Sequence, residues 1–152
     1  MNRNMIDLFC GAGGFSLGFE LAGFNSILAI DKWSDAIDTY NYNRKEKVGT
    51  TTDIYDFTDE QLRKMKEEKS VCGIIGGPPC QGFSMVGKRE AGDKRNTLYK
   101  EYVRFVDVIR PSFFILENVK GLLSMEGGRY PRAITSEFSE LGYNVTYKML
   151  RA

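Results

Sequence analysis

Short apolar runs closed by glycine or an acidic residue alternate along the chain with longer stretches whose apolar residues recur three or four positions apart. The runs Met5–Phe9, Asn25–Ile30, Val48–Thr52, Ser112–Leu116 and Asn144–Leu150 have the length and composition of strands, as do Ile74 and Ile75 within Val71–Ser84. The periodic stretches predict helices over Phe15–Ala22, Ser34–Asn43, Asp59–Lys69, Asn96–Arg110 and Arg132–Leu141. Ser34 reads as an N-cap, and Pro111 stops the helix that carries Leu98, Tyr102, Phe105, Val106 and Ile109. Strand and helix in turn predict an α/β fold, a mostly parallel sheet with helices on both faces.

Four strand ends carry chemistry. After the first comes the glycine turn Cys10–Gly14 (CGAGG), where backbone can approach a ligand and the next helix offers free N–H groups. Ser16 stands where the dinucleotide fingerprint G-x-G-x-x-G wants its third glycine, so that motif is only partly met. Phe9 precedes the turn and is placed to cover a flat ring. The second strand ends at Asp31, about 20 residues beyond the turn, where a carboxylate meets a ribose hydroxyl or simply opens the next helix. Trp33 is near enough to stack on a base.

The stretch Val71–Ser84 (VCGIIGGPPCQGFS) delivers a thiol, Cys80, on a turn stiffened by Pro78 and Pro79. Taken alone Cys80 is either a nucleophile or a small core residue. Glu117 and Asn118 follow the strand Ser112–Leu116, and a right-handed crossover puts Glu117 at the same sheet edge as Cys80. Between them Gln81–Arg95 has no periodicity, and its Gly82–Arg89 misses a phosphate-binding loop at the last position.

Composition narrows the field. The 152 residues suit one core of ordinary size, and a net charge of +1 leaves only local clusters such as Lys88, Arg89, Lys94 and Arg95 for nucleic acid. There is no histidine, which removes Cys-His dyads and the usual zinc sets, so no metal is expected. Three cysteines without framework spacing fit reduced thiols. No apolar run approaches the roughly 18 residues of a membrane span. A cytoplasmic protein without a membrane partner is expected.

With these residues in view, the chain resembles the cytosine-C5 DNA methyltransferases. The resemblance rests on Asp7-Leu-Phe-Cys-Gly-Ala-Gly-Gly14, Gly77-Pro-Pro-Cys-Gln-Gly-Phe-Ser84 and Glu117-Asn-Val119, in the family's order and spacing, and covers nearly the whole chain from Met5. It implies the Rossmann-like fold of S-adenosylmethionine-dependent methyltransferases. It also implies that Phe9, Gly11, Ala12, Gly13 and Gly14 cradle S-adenosylmethionine, with Asp31 at its ribose and Lys32 among the other cofactor-binding residues. Trp33, Asp53 and Ile54 would meet the adenine, and Pro79 and Leu98 would line the pocket. Cys80 would attack C6 of a cytosine flipped out of double-stranded DNA, Glu117 would protonate or hold N3, and Asn118 would position Pro79 and the loop. Gln81, Ser84, Lys88, Arg89 and Arg95 would belong to a loop that closes over the DNA.

Two departures accompany the resemblance. The family usually has Glu where this chain has Asp31, and the sequence given stops near the family's seventh motif, before its target-recognition region. In the family a further strand inserts antiparallel between those represented here by Ser112–Leu116 and Asn144–Leu150. The expectation is therefore a partial catalytic domain over residues 1–152, incomplete at its C-terminal end, working as a fragment or as one subunit of a split enzyme. The alternatives are a non-catalytic module of the same fold, an RNA cytosine methyltransferase and, more distantly, a nucleotide-dependent oxidoreductase.

Overall fold

The computed structural model describes residues 2–79 and 97–150. In chain order it has β1 (Asn4–Leu8), α1 (Gly14–Leu21), β2 (Asn25–Asp31), α2 (Ser34–Tyr42), β3 (Gly49–Thr51), α3 (Asp59–Lys69), β4 (Gly73–Gly76), α4 (Thr97–Ile109), β5 (Phe113–Leu116) and α5 (Arg129–Glu140). The five strands form one parallel sheet in the order β3-β2-β1-β4-β5. The chain therefore runs outward from β1 to one edge, then returns to build from β4 to the other. The crevice between the ends of β1 and β4 is the topological switch point, where such sheets bind ligands.

Period-two alternation sorts each strand between two layers. Ile6, Leu8, Ile30 and Ile74 join Leu62 of α3, Tyr102, Phe105 and Val106 of α4 and Phe138 of α5 in the larger core. Ala29 faces the other way, packing with Cys10 and with Ile37 and Tyr40 of α2. β5 divides likewise: the Phe114 ring stacks on Phe138 at 4.1 Å, while Phe113 stacks on Phe19 of α1 at 6.4 Å. Helices thus cover both faces. Among the described residues, no helix is long and apolar enough to cross a membrane.

Three expectations need correction. Ser34 is not the N-cap of α2. Trp33 holds that position without a side-chain cap bond, and the Trp33 N–H instead donates to Asp31 Oδ1 at 3.0 Å. The last helix begins at Arg129, three residues earlier than its apolar pattern implied. Gly128, at φ 79°, turns the chain into it, and Pro131 falls in the first turn, where a missing N–H costs nothing. Finally, 144–150 is not a strand. Its alternation is genuine, but a strand exists only through a ladder, and among the described residues nothing pairs with the outer edge of β5. Tyr143 and Val145 pack on the core, whereas Tyr147, Met149 and Leu150 stay exposed.

Candidate active site

The turn between β1 and α1 is held in an unusual backbone shape. Phe9, Gly11 and Gly13 all have positive φ, at 59°, 51° and 85°. For Phe9 that conformation costs about 1 kcal/mol or more, so its neighbours must hold it there. The Cys10 N–H donates to the Ile30 carbonyl (3.0 Å) and the Gly13 N–H to the Cys10 carbonyl (2.9 Å). Asp31, at the end of β2, accepts the Gly11 N–H on Oδ2 (2.9 Å) while Oδ1 takes that of Trp33. The short carboxylate ties two strand ends together, and each oxygen keeps a lone pair for a ligand.

Beside this turn lies a cleft of about 220 Å³ lined by Phe9, Ile30, Asp31, Lys32, Thr52, Asp53, Ile54, Gly77, Pro79 and Leu98. Seven of the residues singled out from sequence meet here: Phe9, Asp31, Lys32, Asp53, Ile54, Pro79 and Leu98. The glycine turn borders the cleft without lining it. Trp33 is 64% exposed and does not line it either. Asp53 accepts the Tyr55 N–H on its side chain (3.2 Å) and so caps the short 3₁₀ turn Ile54–Asp56, which sets buried Ile54 into the wall. Ile30, Thr52 and Gly77 were not anticipated as lining residues; Ile30 and Thr52 are signalled only by closing apolar runs, and Gly77 by opening the motif Gly77–Ser84.

Under the turn sits a buried polar network that the motifs did not reveal. Ser16, the residue that breaks the dinucleotide fingerprint, donates its hydroxyl to Asp7 Oδ2 and accepts that of Tyr40 at 3.0 Å. Where a third glycine would let helix and strand pack closely, a hydrogen bond joins α1 to β1 instead. Asp7 is 1% exposed, and burial pushes its carboxyl up to about 7, opposed by the Ser16 bond and the nearby Arg44 charge. The Cys10 thiol is likewise pushed up by burial and by the Asp7 and Asp31 charges, which leaves it protonated and unreactive.

The second strand pair aims the catalytic edge. β4 and β5 run in register from Gly73 opposite Phe113 to Gly76 opposite Leu116, and the Glu117 N–H then donates to the Gly76 carbonyl at 2.9 Å. The Glu117 carboxylate lies against Gly77, where an added Cβ would come within 3.0 Å of Oε2. Asn118 Nδ2 donates to the Pro78 carbonyl at 2.9 Å. Gly76 is required by close packing, since a Cβ there would meet the Leu8 carbonyl oxygen at 2.2 Å. The buried Tyr102 hydroxyl sits between the carbonyls of Ile74 (3.2 Å) and Ile115 (3.0 Å), locking α4 to both strands.

Cys80, Gln81, Ser84, Lys88, Arg89 and Arg95 lie outside the described residues. Among the described residues, no cluster of three or more His, Cys, Asp or Glu is placed to hold a metal ion.

A family model described as C-5 cytosine-specific DNA methylase matches residues 3–152. The chain is 47% identical over 152 residues to the type II methyltransferase M.DdeI of Desulfomicrobium norvegicum, covering 98% of this chain and 36% of that one. It is 43% identical over 155 residues to M1.HphI of Haemophilus parahaemolyticus, covering all of this chain and 42% of the relative. The type II methyltransferase M.AquIA of Picosynechococcus is 34% identical over 163 residues, with 66% of it covered. Among solved structures, a candidate DNA modification methyltransferase encoded within a prophage (E. coli) superposes with a TM-score of 0.74 at 34% identity, over 91% of this chain and 38% of that one. The chain thus spans well under half the length of the first two relatives.

Proposed function

The chain belongs to the C-5 cytosine-specific DNA methylase family, matched over residues 3–152, and from that premise we propose that it carries the cofactor-binding and catalytic part of an enzyme that methylates C5 of cytosine in double-stranded DNA. The observation that carries the reading is the Asn118 to Pro78 bond beside the β4–β5 register. It brings an acid, Glu117, to the proline turn that runs directly into Cys80.

The described residues fit S-adenosylmethionine. Asp31 has acceptor capacity for ribose hydroxyls, Phe9, Ile54, Pro79 and Leu98 give apolar walls for a purine, and the glycine turn leaves room at α1 for an amino-acid end. When bound, this cofactor supplies a methyl group on a cationic sulfur. The protein's own task is to make C5 nucleophilic. The Cys80 thiolate forms a bond to C6 while Glu117 gives a proton to N3, which drives electron density onto C5. Once C5 is methylated, a base such as water takes its hydrogen as a proton, the C6–S bond breaks to release the thiolate, and N3 returns its proton to the Glu117 carboxylate, which restores the ring. The base must first leave the duplex stack, at a cost of roughly a few kcal/mol.

We assign the DNA-reading function to further polypeptide, in the same chain or in a second subunit. Among the described residues nothing pairs with the outer edge of β5, and the apolar side chains Ile115, Val119, Tyr147, Met149 and Leu150 are exposed; both observations support this. M.AquIA, of which this stretch makes up 66%, is a much shorter relative than M.DdeI. A role in a restriction–modification pair follows from the type II names of the relatives. A site of action beside DNA in the reducing cytoplasm is part of this reading, and the free thiols Cys10 and Cys72 support it.

The test is covalent trapping by the full-length protein on a duplex containing 5-fluorocytosine, with S-adenosylmethionine. Fluorine cannot leave as a proton, so a denaturant-stable adduct should form with the wild type. It should vanish in Cys80→Ser, which still binds S-adenosylhomocysteine. An adduct that survives in Cys80→Ser overturns the mechanism.

A further inference from the structure

Arg44, just beyond α2, belongs to no motif, yet it touches the glycine turn directly. Its side chain is 10% exposed. Nη2 donates to the Gly13 carbonyl at 2.7 Å, Nε to both Glu20 oxygens at 3.0 and 3.1 Å, and Nη1 to the Tyr40 carbonyl at 3.1 Å. The guanidinium carbon lies 3.7 Å from the centre of the Tyr40 ring. A Cβ on Gly13 would come within 2.4 Å of that ring and 2.6 Å of Arg44 Nη1. Asp31 holds the Gly11 N–H from the other strand, so the turn is gripped at Gly11 and at Gly13.

We propose that Arg44 is a positioning residue for the amino-acid end of the cofactor, acting through the peptide between Gly13 and Gly14. Because a peptide unit is planar and trans, drawing the Gly13 carbonyl toward Arg44 points the Gly14 N–H the opposite way. A Cβ built at Gly14 meets nothing within 4 Å, so a ligand has room beside this peptide. The Gly14 N–H is among the first of α1, which have no acceptor within the helix and suit a carboxylate. The Gly13 carbonyl also accepts the Leu17 N–H at 2.9 Å, so Arg44 sets the direction in which α1 starts. Glu20 neutralises the guanidinium, which leaves geometry as its contribution, and only a planar fork can meet these partners together.

The inference rests on the cofactor reading above. Calorimetry on the full-length protein would compare dissociation constants for S-adenosylhomocysteine and for adenosine, which lacks the amino-acid end. Arg44→Gln should weaken S-adenosylhomocysteine about tenfold and leave adenosine nearly unchanged. Glu20→Gln, which keeps the arginine and releases only its pin, should move in the same direction by a smaller factor, and it decides the matter if Arg44→Gln does not fold. Equal losses for both ligands reduce Arg44 to a structural residue and overturn the inference, as does unchanged S-adenosylhomocysteine binding in both variants. A wild type that binds neither ligand takes down the cofactor reading itself.

Discussion

The two strand ends that flank the switch point are built in opposite ways. The end of β1 is a turn with three positive-φ residues, gripped by Asp31 and Arg44 and underlain by the buried Asp7–Ser16–Tyr40 network. The ends of β4 and β5 are positioned by backbone register, with Asn118 as the side-chain bond to the proline turn, and Glu117 stands exposed there. A methyl donor that must be bound afresh in each turnover would fit a pre-built cradle. A base that enters from a duplex fits a rigid edge whose side chains stay free to meet it.

That contrast can be broken most sharply at the sheet. Gly76→Ala would drive a Cβ to 2.2 Å from the Leu8 carbonyl oxygen and force β1 and β4 apart. The expected loss is about 3 kcal/mol of stability, read by chemical denaturation, and both ligand sites should weaken together. An unchanged midpoint would show that the strands have room to yield.

Asn118→Ala should separate the two regions. Releasing the Pro78 carbonyl loosens the turn before Cys80, so kcat should fall by up to about a hundredfold, while the dissociation constant for S-adenosylhomocysteine stays put. Loss of cofactor affinity in parallel would mean that the edge and the cradle are one unit.

The third effect is a slope and not a step. Burial raises the Asp7 carboxyl from 3.8 to about 7, so between those values the folded chain keeps a proton that the unfolded chain has lost. Stability should therefore fall as pH rises through this window, by at most ~1.4 kcal/mol per pH unit from this group, and level off above it. Asp7→Asn does not titrate and should lack that component. Parallel stability–pH curves for wild type and variant would place the carboxyl's titration elsewhere.

Much of the site was legible because its residues sit at strand ends. A short apolar run ended by glycine or acid is a local pattern, and parallel connections bring all such ends to one edge. Hence Phe9 and Asp31 could be placed at one edge from the pattern alone, whereas Ile54, Pro79 and Leu98 joined them only through the family resemblance; all five line the cleft. Periodicity also set α3 at Asp59–Lys69, and the capping box between Thr58 and Gln61 explains why it starts there.

What the chain encodes by itself is thus its order of strands and helices, and the motifs that carry a thiol, an acid and a glycine turn. Only the folded arrangement decided that Ser16 would answer Asp7, that Arg44 would reach back 31 residues to Gly13, and that 144–150 would remain outside the sheet. Each of these depends on a partner distant in sequence. Side-chain periodicity reports the face a residue turns to the core, whereas a buried hydrogen bond or a strand ladder exists only where the complementary group has been brought alongside.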